Sequence, residues 1–582
     1  MKKSFKNGKI IVRGKFYEDV IYDVFANDLR VTFDGKGGII NYTASNKPSS
    51  YIRRSFLNFY INGEKLDAYS NKKVEMVGRM QKIILQKDKK KIEVLQFIPP
   101  VGNAVFYEIK TNTKEDDYDI VVDIGQAIIH FNYATNVENE YIAENSSVYM
   151  KTKNGLRFVL SYETDSKYCK KMLSKFTYYK KQVVDEYKNI VIPETAKTEK
   201  DKALYVSGIF CALENYKEMG EYKGFCAGCN YANPIRTYYR DSYWTVLAMY
   251  KQHADLVRNQ IVTLAHGIES NGDCPSSVTY QFNLHWLNHY DSPSYFIMMV
   301  YDYINHTEDY SILNELVNNK TIYDYCLLTI DKLSLYEDET GLICKLGNYN
   351  KRDWADEVNR IGYVTYDEIL YDRALFCVSS ITKLKDKTLS QKYYEKFINV
   401  KNAINNILWD DQKGYYINYK DGNFVEDNLS IDTIIAILFN ICDKNKMEIL
   451  LNNVSNILET RNNKIQRAGD FGVMCAFPFY KATNRCYNKS SQDYEYHNGA
   501  VWPYLSAVVA YAQMLHGVDF SYAHLSSFDW SINKNIYTLI EYYSPCRPVG
   551  AILQAWSSDL AWVYDWQSVN FFEENKKVFE KI

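Results

Sequence analysis

The chain lacks any run of about eighteen apolar residues, so no membrane-spanning helix is expected. Its opening, MKKSFKNGKIIVRGKF, is basic but has no apolar core of a secretory signal, which predicts a cytoplasmic protein. Charge of one sign is also missing. A formal net charge of -2 gives no electrostatic reason to expect nucleic acid or an anionic membrane as partner. Cysteine is present but unorganised: the 12 residues are scattered without the framework of a small disulfide domain, and they read as reduced thiols. Cys226 and Cys229 form a C-x-x-C in FCAGCN, but no second pair stands at the spacing a structural zinc needs. The context is not the strand-to-helix turn of a redox motif either, so a packed loop is the simpler reading. No metal and no organic cofactor is expected.

What the chain does have is aromatic residues, 15% of the total, with 53 tyrosines. Ring faces and hydroxyls together suit carbohydrate contact, although they also fill helix interfaces. At 582 residues, two to four domains are expected. Residues 1–165 read as β, with KIIVRGKF, LRVTF, KIEVLQFI, AVFYEIKT and YDIVVDI separated by turn signals such as Asn62-Gly63. An antiparallel β-sandwich is the expectation. Residues 166–200 read as a helical linker. From 201 to 582 the period becomes helical, with predicted helices over Ala203–Tyr216, Ser242–His266, Pro293–Asn305, Ile322–Leu335, Tyr366–Lys383, Gln391–Leu408, Ser430–Cys442, Met447–Leu458, Val501–Leu515 and Leu553–Tyr564. No strand as clear as the earlier ones is expected there. So many helices without a βαβ rhythm suggest a ring or stack of helical hairpins, whose loops converge at one end.

Four stretches carry polar and aromatic residues beyond what helical patterning requires. In KRDWADEVNRIG, Asp353, Asp356 and Glu357 crowd around Trp354. An indole packs on the apolar face of a sugar, and desolvation raises an acid's pKa so that it can protonate a leaving oxygen. Such a cluster also serves as a helix cap. On a continuous helix Asp353 would share a side with Asp356, and it is expected to hold a sugar hydroxyl or cap the turn. In YYRDSYW, Arg240 and Asp241 could grip vicinal hydroxyls and Trp244 could offer a stacking face; a helix N-terminus capped by Asp241 or Ser242 is the alternative. In EYHNGAVWPYL, His497, Asn498 and Trp502 precede a helix with Pro503 in its first turn. A lone histidine is also a common structural hydrogen-bonder. In LIEYYSPCRPVGAILQAWS, Glu541 follows an apolar approach, and Gln554 and Trp556 open the last long helix. An acid in such surroundings is costly unless paired or used.

Together these stretches resemble the amylo-α-1,6-glucosidase domain of glycogen debranching enzymes and the wider six-hairpin glycosidases that include trehalases. YYRDSYW is similar to that family's G-R-D-[TS], and DWAD to its T-W-M-D. YHNGAVWPYL is similar to its Y-H-x-G-x-V-W-P-W-L, and IEYYSPCRPVGAILQAWS to its S-E-I-F…A-Q-A-W-S. The sequence departs at Tyr239, Asp353, Ala355 and Tyr504, and Tyr366 stands where a sugar-contacting glutamate is found. The resemblance implies an (α/α)6 toroid behind a β-sandwich, with Asp356 as general acid and Glu541 as general base. Arg240, Asp241, Trp244, Trp354, Asp353, His497, Trp502, Gln554 and Trp556 would bind an oligosaccharide or glycoside. The implied activity is an inverting, exo-acting glycoside hydrolase. A phosphorylase on the same fold and a non-catalytic carbohydrate-binding protein stay open beside it. A polysaccharide lyase would want a basic cleft, which these stretches do not offer.

Overall fold

Antiparallel pairing dominates the first part of the chain, and turn chemistry sets it. The structure, a computed structural model, describes residues 1–14, 20–27, 29–44, 57–112, 118–122, 132–135, 139–143, 147–152, 156–161, 166–231, 234–346, 352–545 and 550–574. The end of YDIVVDI, Lys351 and the middle of the Glu541 stretch lie outside the described residues. Between Lys2 and Ser161 the strands build an eight-stranded, a five-stranded and a three-stranded sheet, each paired antiparallel. At Asn62-Gly63 both φ angles are positive, at 54° and 79°, which is the geometry a two-residue hairpin turn demands and glycine tolerates. In Met80–Lys87 the buried residues alternate with half-buried ones, so Ile83 and Leu85 face the core while Lys82 and Ile84 do not.

The remainder is mostly helical. Six central helices touch in a cycle. Tyr239–Leu247 packs on Asp291–Thr307, that on Thr365–Lys383, that on Ile435–Leu438, and that on Pro503–Leu515; Asp559–Asp565 follows and returns to Tyr239–Leu247. Every residue of Tyr239–Leu247 is buried, as an inner helix requires. Alternating with these in sequence are Ala254–Ala265, Ile322–Ser334, Lys387–Ala403, Lys444–Asn453 and Ser521–Asn533, preceded by Glu199–Asn215. Lys387–Ala403 buries only Tyr393 and Val400, as an outer helix would. Local chemistry starts several of these helices. Thr198 with Asp201, and Thr321 with Asp324, form reciprocal capping boxes. Pro503 occupies a first helical position, where its missing N–H costs nothing.

Several boundaries differ from expectation. The segment expected as one helix over Ser242–His266 breaks after Leu247, and a turn separates two helices. Ser430–Cys442 is a 3₁₀ turn plus the short helix Ile435–Leu438. Ser521–Asn533 forms a helix that was not expected, because its sparse apolar residues gave a weak period. Short strands do occur among the helices: Arg236–Tyr238, Pro275–Thr279 and Leu284–Asn288 form a sheet leading into the first ring helix. Among the described residues no helix is long and apolar enough to cross a membrane.

Candidate active site

A pocket of about 360 Å³ opens beside the start of the ring helices. Arg240 and Asp241 reach it from the first turn of Tyr239–Leu247, and Trp502 from the residue that caps Pro503–Leu515. Trp354, Asp356 and Glu357 come from the segment before Thr365–Lys383, and Glu541 and Trp556 from the segments before Asp559–Asp565. Thus seven of the residues singled out from sequence (Arg240, Asp241, Trp354, Asp356, Trp502, Glu541 and Trp556) share one wall-to-wall cavity. Residues 356 and 541, 185 positions apart in the sequence, line the same pocket.

Asp356 sits in a turn, not on a helix as expected. Asp353 Oδ1 accepts the Ala355 N–H at 2.8 Å and ties that turn. Arg352 Nη1 and the Tyr487 hydroxyl both donate to the Asp356 carbonyl oxygen and pin its backbone. The Asp356 side chain is 38% exposed, but to a walled pocket instead of open solvent. Burial therefore dominates and pushes its carboxyl up to about 7, with Arg240 opposing and Glu357 and Glu541 adding to the rise.

Glu541 is held on a short antiparallel approach between 539–543 and 550–553. Its N–H donates to the Ala551 carbonyl, and the Ala551 N–H returns to Glu541 Oε2, both at 2.8 Å. The Tyr231 hydroxyl donates to Oε1 at 3.0 Å. Burial raises this carboxyl, while the Ala551 N–H and Tyr231 hydroxyl favour its charged form. Gly550 makes the approach possible: a Cβ there would lie 2.5 Å from the Tyr542 nitrogen and 2.8 Å from the Glu541 Cβ.

The polar and aromatic walls are fixed from behind. Arg240 Nη1 donates to Asp291 at 2.7 Å, and Asp291 also accepts from Tyr366. Gln554 Nε2 donates to Asp241 Oδ1 at 3.0 Å. Burial pushes Asp241 up to about 7 despite its neighbour Arg240. The Trp354 indole N–H donates to Asp432 at 2.5 Å. Trp502 donates to the Tyr496 carbonyl at 3.0 Å and stacks on Tyr542. Trp556 stacks on Tyr504 with ring centres 4.2 Å apart.

Four of the expected sugar-binding residues stand behind the wall. Trp244 is fully buried, with its indole N–H on the Tyr295 hydroxyl at 3.0 Å, Tyr243 in an edge contact and Tyr504 tilted against it. No stacking face is open there. Asp353 is buried between Lys345 and Arg360, which it meets at 2.5 Å each. His497 is 1% exposed and lies against Trp502 and Trp354. Gln554 reaches the pocket only through Asp241. These four back the pocket instead of lining it: Gln554 meets Asp241 and His497 faces Asp356 from behind.

Sequence reasoning missed Tyr231, Arg236, Tyr238, Asp291 and Asp432. Tyr231 directly follows FCAGCN, a stretch read only for its cysteines, and Asp291 starts a helix with no motif around it; only the fold brings them to Glu541 and Arg240. The C-x-x-C is a packed loop. Cys226 and Cys229 are buried thiols, and burial raises both, Cys229 up to about 12. Gly228 between them pairs with Gln554, where a Cβ would fall 2.4 Å from the Gln554 side-chain oxygen. Among the described residues no cluster of His, Cys, Asp and Glu has metal-binding geometry.

A family profile described as amylo-alpha-1,6-glucosidase matches residues 247–561, more than half of the chain. The match covers three of the four stretches and begins just after Trp244. Among solved structures, a bacterial glucoamylase complexed with acarbose aligns over 98% of this chain and 100% of that chain, with a TM-score of 0.62 and 12% identity. A rhamnosidase from Klebsiella oxytoca with rhamnose bound aligns over 95% of each chain, with a TM-score of 0.49 and 12% identity. At that identity the glucoamylase likeness shows a shared fold and no more. No curated protein sequence matches significantly.

Proposed function

The chain belongs to the amylo-alpha-1,6-glucosidase family, and from that premise we propose that it is an inverting, exo-acting glycoside hydrolase acting on an α-glucosidic or related bond. The observation that carries this reading is that Asp356 and Glu541, both raised by burial, line one pocket with Trp354, Trp502 and Trp556. Asp356, with its carboxyl near 7, keeps a proton for the glycosidic oxygen at neutral pH. Glu541, held by two donors, takes a proton from the water that attacks the opposite face of the anomeric carbon. Inversion asks for about 6.5–9.5 Å between two such carboxyls, room for that water. Arg240 and Asp241 would hold hydroxyls, and the indoles would hold the ring faces. The chemistry needs no metal or organic cofactor.

The helical part is read as an (α/α)6 toroid over 201–582, behind a β-sandwich over 1–165 and a linker over 166–200. The cycle of six helices and the glucoamylase-like fold support this. The test is direct. Asp356→Asn and Glu541→Gln should each lower kcat by at least about 10²-fold on a hydrolysed aryl glycoside or short α-glucan, with the protein still folded. Proton NMR of the first turnovers should show the anomer opposite to the bond cleaved. An initial product of retained configuration would overturn the inverting assignment, and a requirement for phosphate would make the reaction phosphorolysis.

A further inference from the structure

Two buried polar atoms beside the acid, Asp356 Oδ1 and His497 Nε2, have no hydrogen bond among the described residues. They face each other at 3.8 Å, too far for a hydrogen bond. Buried polar groups without partners are rare and costly, so two that face each other call for a reason.

The tautomer of His497 follows from its other nitrogen. Nδ1 lies 3.4 Å from two groups, the Ser490 hydroxyl, which can donate or accept, and the backbone N–H of Glu357, which can only donate; a proton on Nδ1 would oppose that N–H, so Nδ1 is assigned as the acceptor. Burial, with Arg360 nearby, keeps the ring neutral. The one ring proton is then on Nε2 and points at Asp356. The ring itself is held fast. It lies parallel to Trp502 within 6°, with centres 5.1 Å apart, and edge-on to Trp354 at 5.0 Å. Asp356, whose side chain is partly exposed to the pocket, is the partner with room to move.

We propose that His497 is a positioning residue for the acid: its Nε2–H takes Asp356 Oδ1 as a sugar fills the pocket, and this leaves the transferable proton on Oδ2. The inference rests on the reading of Asp356 as general acid. In the step, the Oδ2 proton passes to the glycosidic oxygen and the electron pair of the breaking C–O bond goes to that same oxygen. Asp356 is left as a carboxylate, and His497 keeps its own proton. A closure of about 1 Å turns the 3.8 Å contact into a charge-assisted hydrogen bond as that charge develops. The donor thus favours the product side of proton transfer more than the resting acid, which is the kind of differential binding that raises kcat.

The titratable groups that act on Asp356 are Arg240, Arg352, Glu357 and Glu541, and those that act on His497 are Arg360, Asp353, Arg240 and Lys489. All of them stay in place in the variants that test the idea. His497→Asn keeps an acceptor for the Glu357 N–H but loses the donor to Asp356, whereas His497→Gln can place a donor near the Nε2 position. The expected result for His497→Asn is a kcat lowered by about 10–100-fold with KM little changed. Its basic limb, set by loss of the Asp356 proton, should move up by about one pH unit. His497→Gln should recover most of both. An unshifted basic limb and wild-type kcat in a folded His497→Asn protein would overturn the positioning role.

Histidine-selective ¹⁵N spectra of the wild-type protein, assigned by the resonance absent from His497→Gln, do not depend on the asparagine variant folding. A proton on Nδ1 would overturn the inference, and one on Nε2 supports it. Asp356→Asn separates the two levels. Near wild-type turnover there removes the acid and the histidine together, whereas an inactive Asp356→Asn with an indifferent His497→Asn removes the histidine alone.

Discussion

Asp353 and Asp356 are the same residue type three positions apart, and their surroundings push them in opposite directions. Burial alone would raise Asp353, but Arg360 and Lys345 more than offset it and hold the carboxyl well below the ordinary range. Asp356 has no such partner and is pushed up to about 7. A depressed carboxyl contributes stability above its ordinary pKa and loses it as pH falls through the folded value. A raised carboxyl does the reverse: its cost appears as pH rises from about 4 toward 7 and stays above that. Asp353→Asn should therefore destabilise the protein at pH 7, by about 3–5 kcal/mol for a broken buried ion pair. Asp356→Asn should leave stability unchanged near pH 4 and raise the melting temperature at pH 8. Thermal melts of both variants across that range check the pair, and the same direction of shift at pH 8 would refute the contrast. Sequence alone placed the acids around Trp354 but treated the stretch as helical. Only the family resemblance singled out Asp356 over Asp353; residue chemistry could not, because the choice is made by Lys345 and Arg360, one upstream of the stretch and the other near its end.

At the scale of elements, helical period and capping chemistry were legible, and short irregular elements were not. Thr365–Lys383 and Asp291–Thr307 form within two residues of the helices expected there, since long buried helices carry strong patterns. The 3₁₀ turns and the three-residue strand Arg236–Tyr238 carry too few residues to show any period, yet they aim Tyr238, Trp556 and Arg240. The Glu541 approach is another such element, fixed by the exchange with Ala551 and by the missing side chain at Gly550. A Cβ there meets backbone, which cannot swing aside as a side-chain tip could. Gly550→Ala should push 550–552 away and take the Ala551 N–H from Glu541 Oε2. We expect kcat to fall by about tenfold or more, equivalent to about 1.4 kcal/mol of lost transition-state stabilisation, with KM affected much less. Steady-state kinetics on the folded variant decides it, and an unchanged kcat would show that the Tyr231 hydroxyl is enough to hold Glu541.

Across the whole molecule, the four stretches were legible as a set only through their resemblance to one family, because no local pattern joins residues 240, 356, 502 and 541. What sequence could not show is how the N-terminal strands reach Glu541. Ile21 bridges Ile536, just upstream of the Glu541 segment. The Phe25 N–H donates to Glu214 at 2.8 Å, and Arg79 donates to the carbonyls of Phe25 and Leu213. Arg30, paired with Asp23, donates to the Asn230 side chain, next to the Tyr231 that holds Glu541. The strands therefore buttress both the segment that carries Glu541 and the loop that hydrogen-bonds it, while the Asp356 backbone is held by Arg352 and Tyr487 of the helical part. Arg30→Ala should then lower kcat by about 3–10-fold, the effect of loosening one support by roughly 1 kcal/mol, without touching a pocket residue. Because Glu541 gains its charged form partly from the Tyr231 hydroxyl, the acidic limb of the rate profile should move up with it, and the basic limb set by Asp356 should not. A pH–rate profile of Arg30→Ala that is lowered uniformly, or whose basic limb shifts instead, would mean that the sheets do not act on the site through Tyr231.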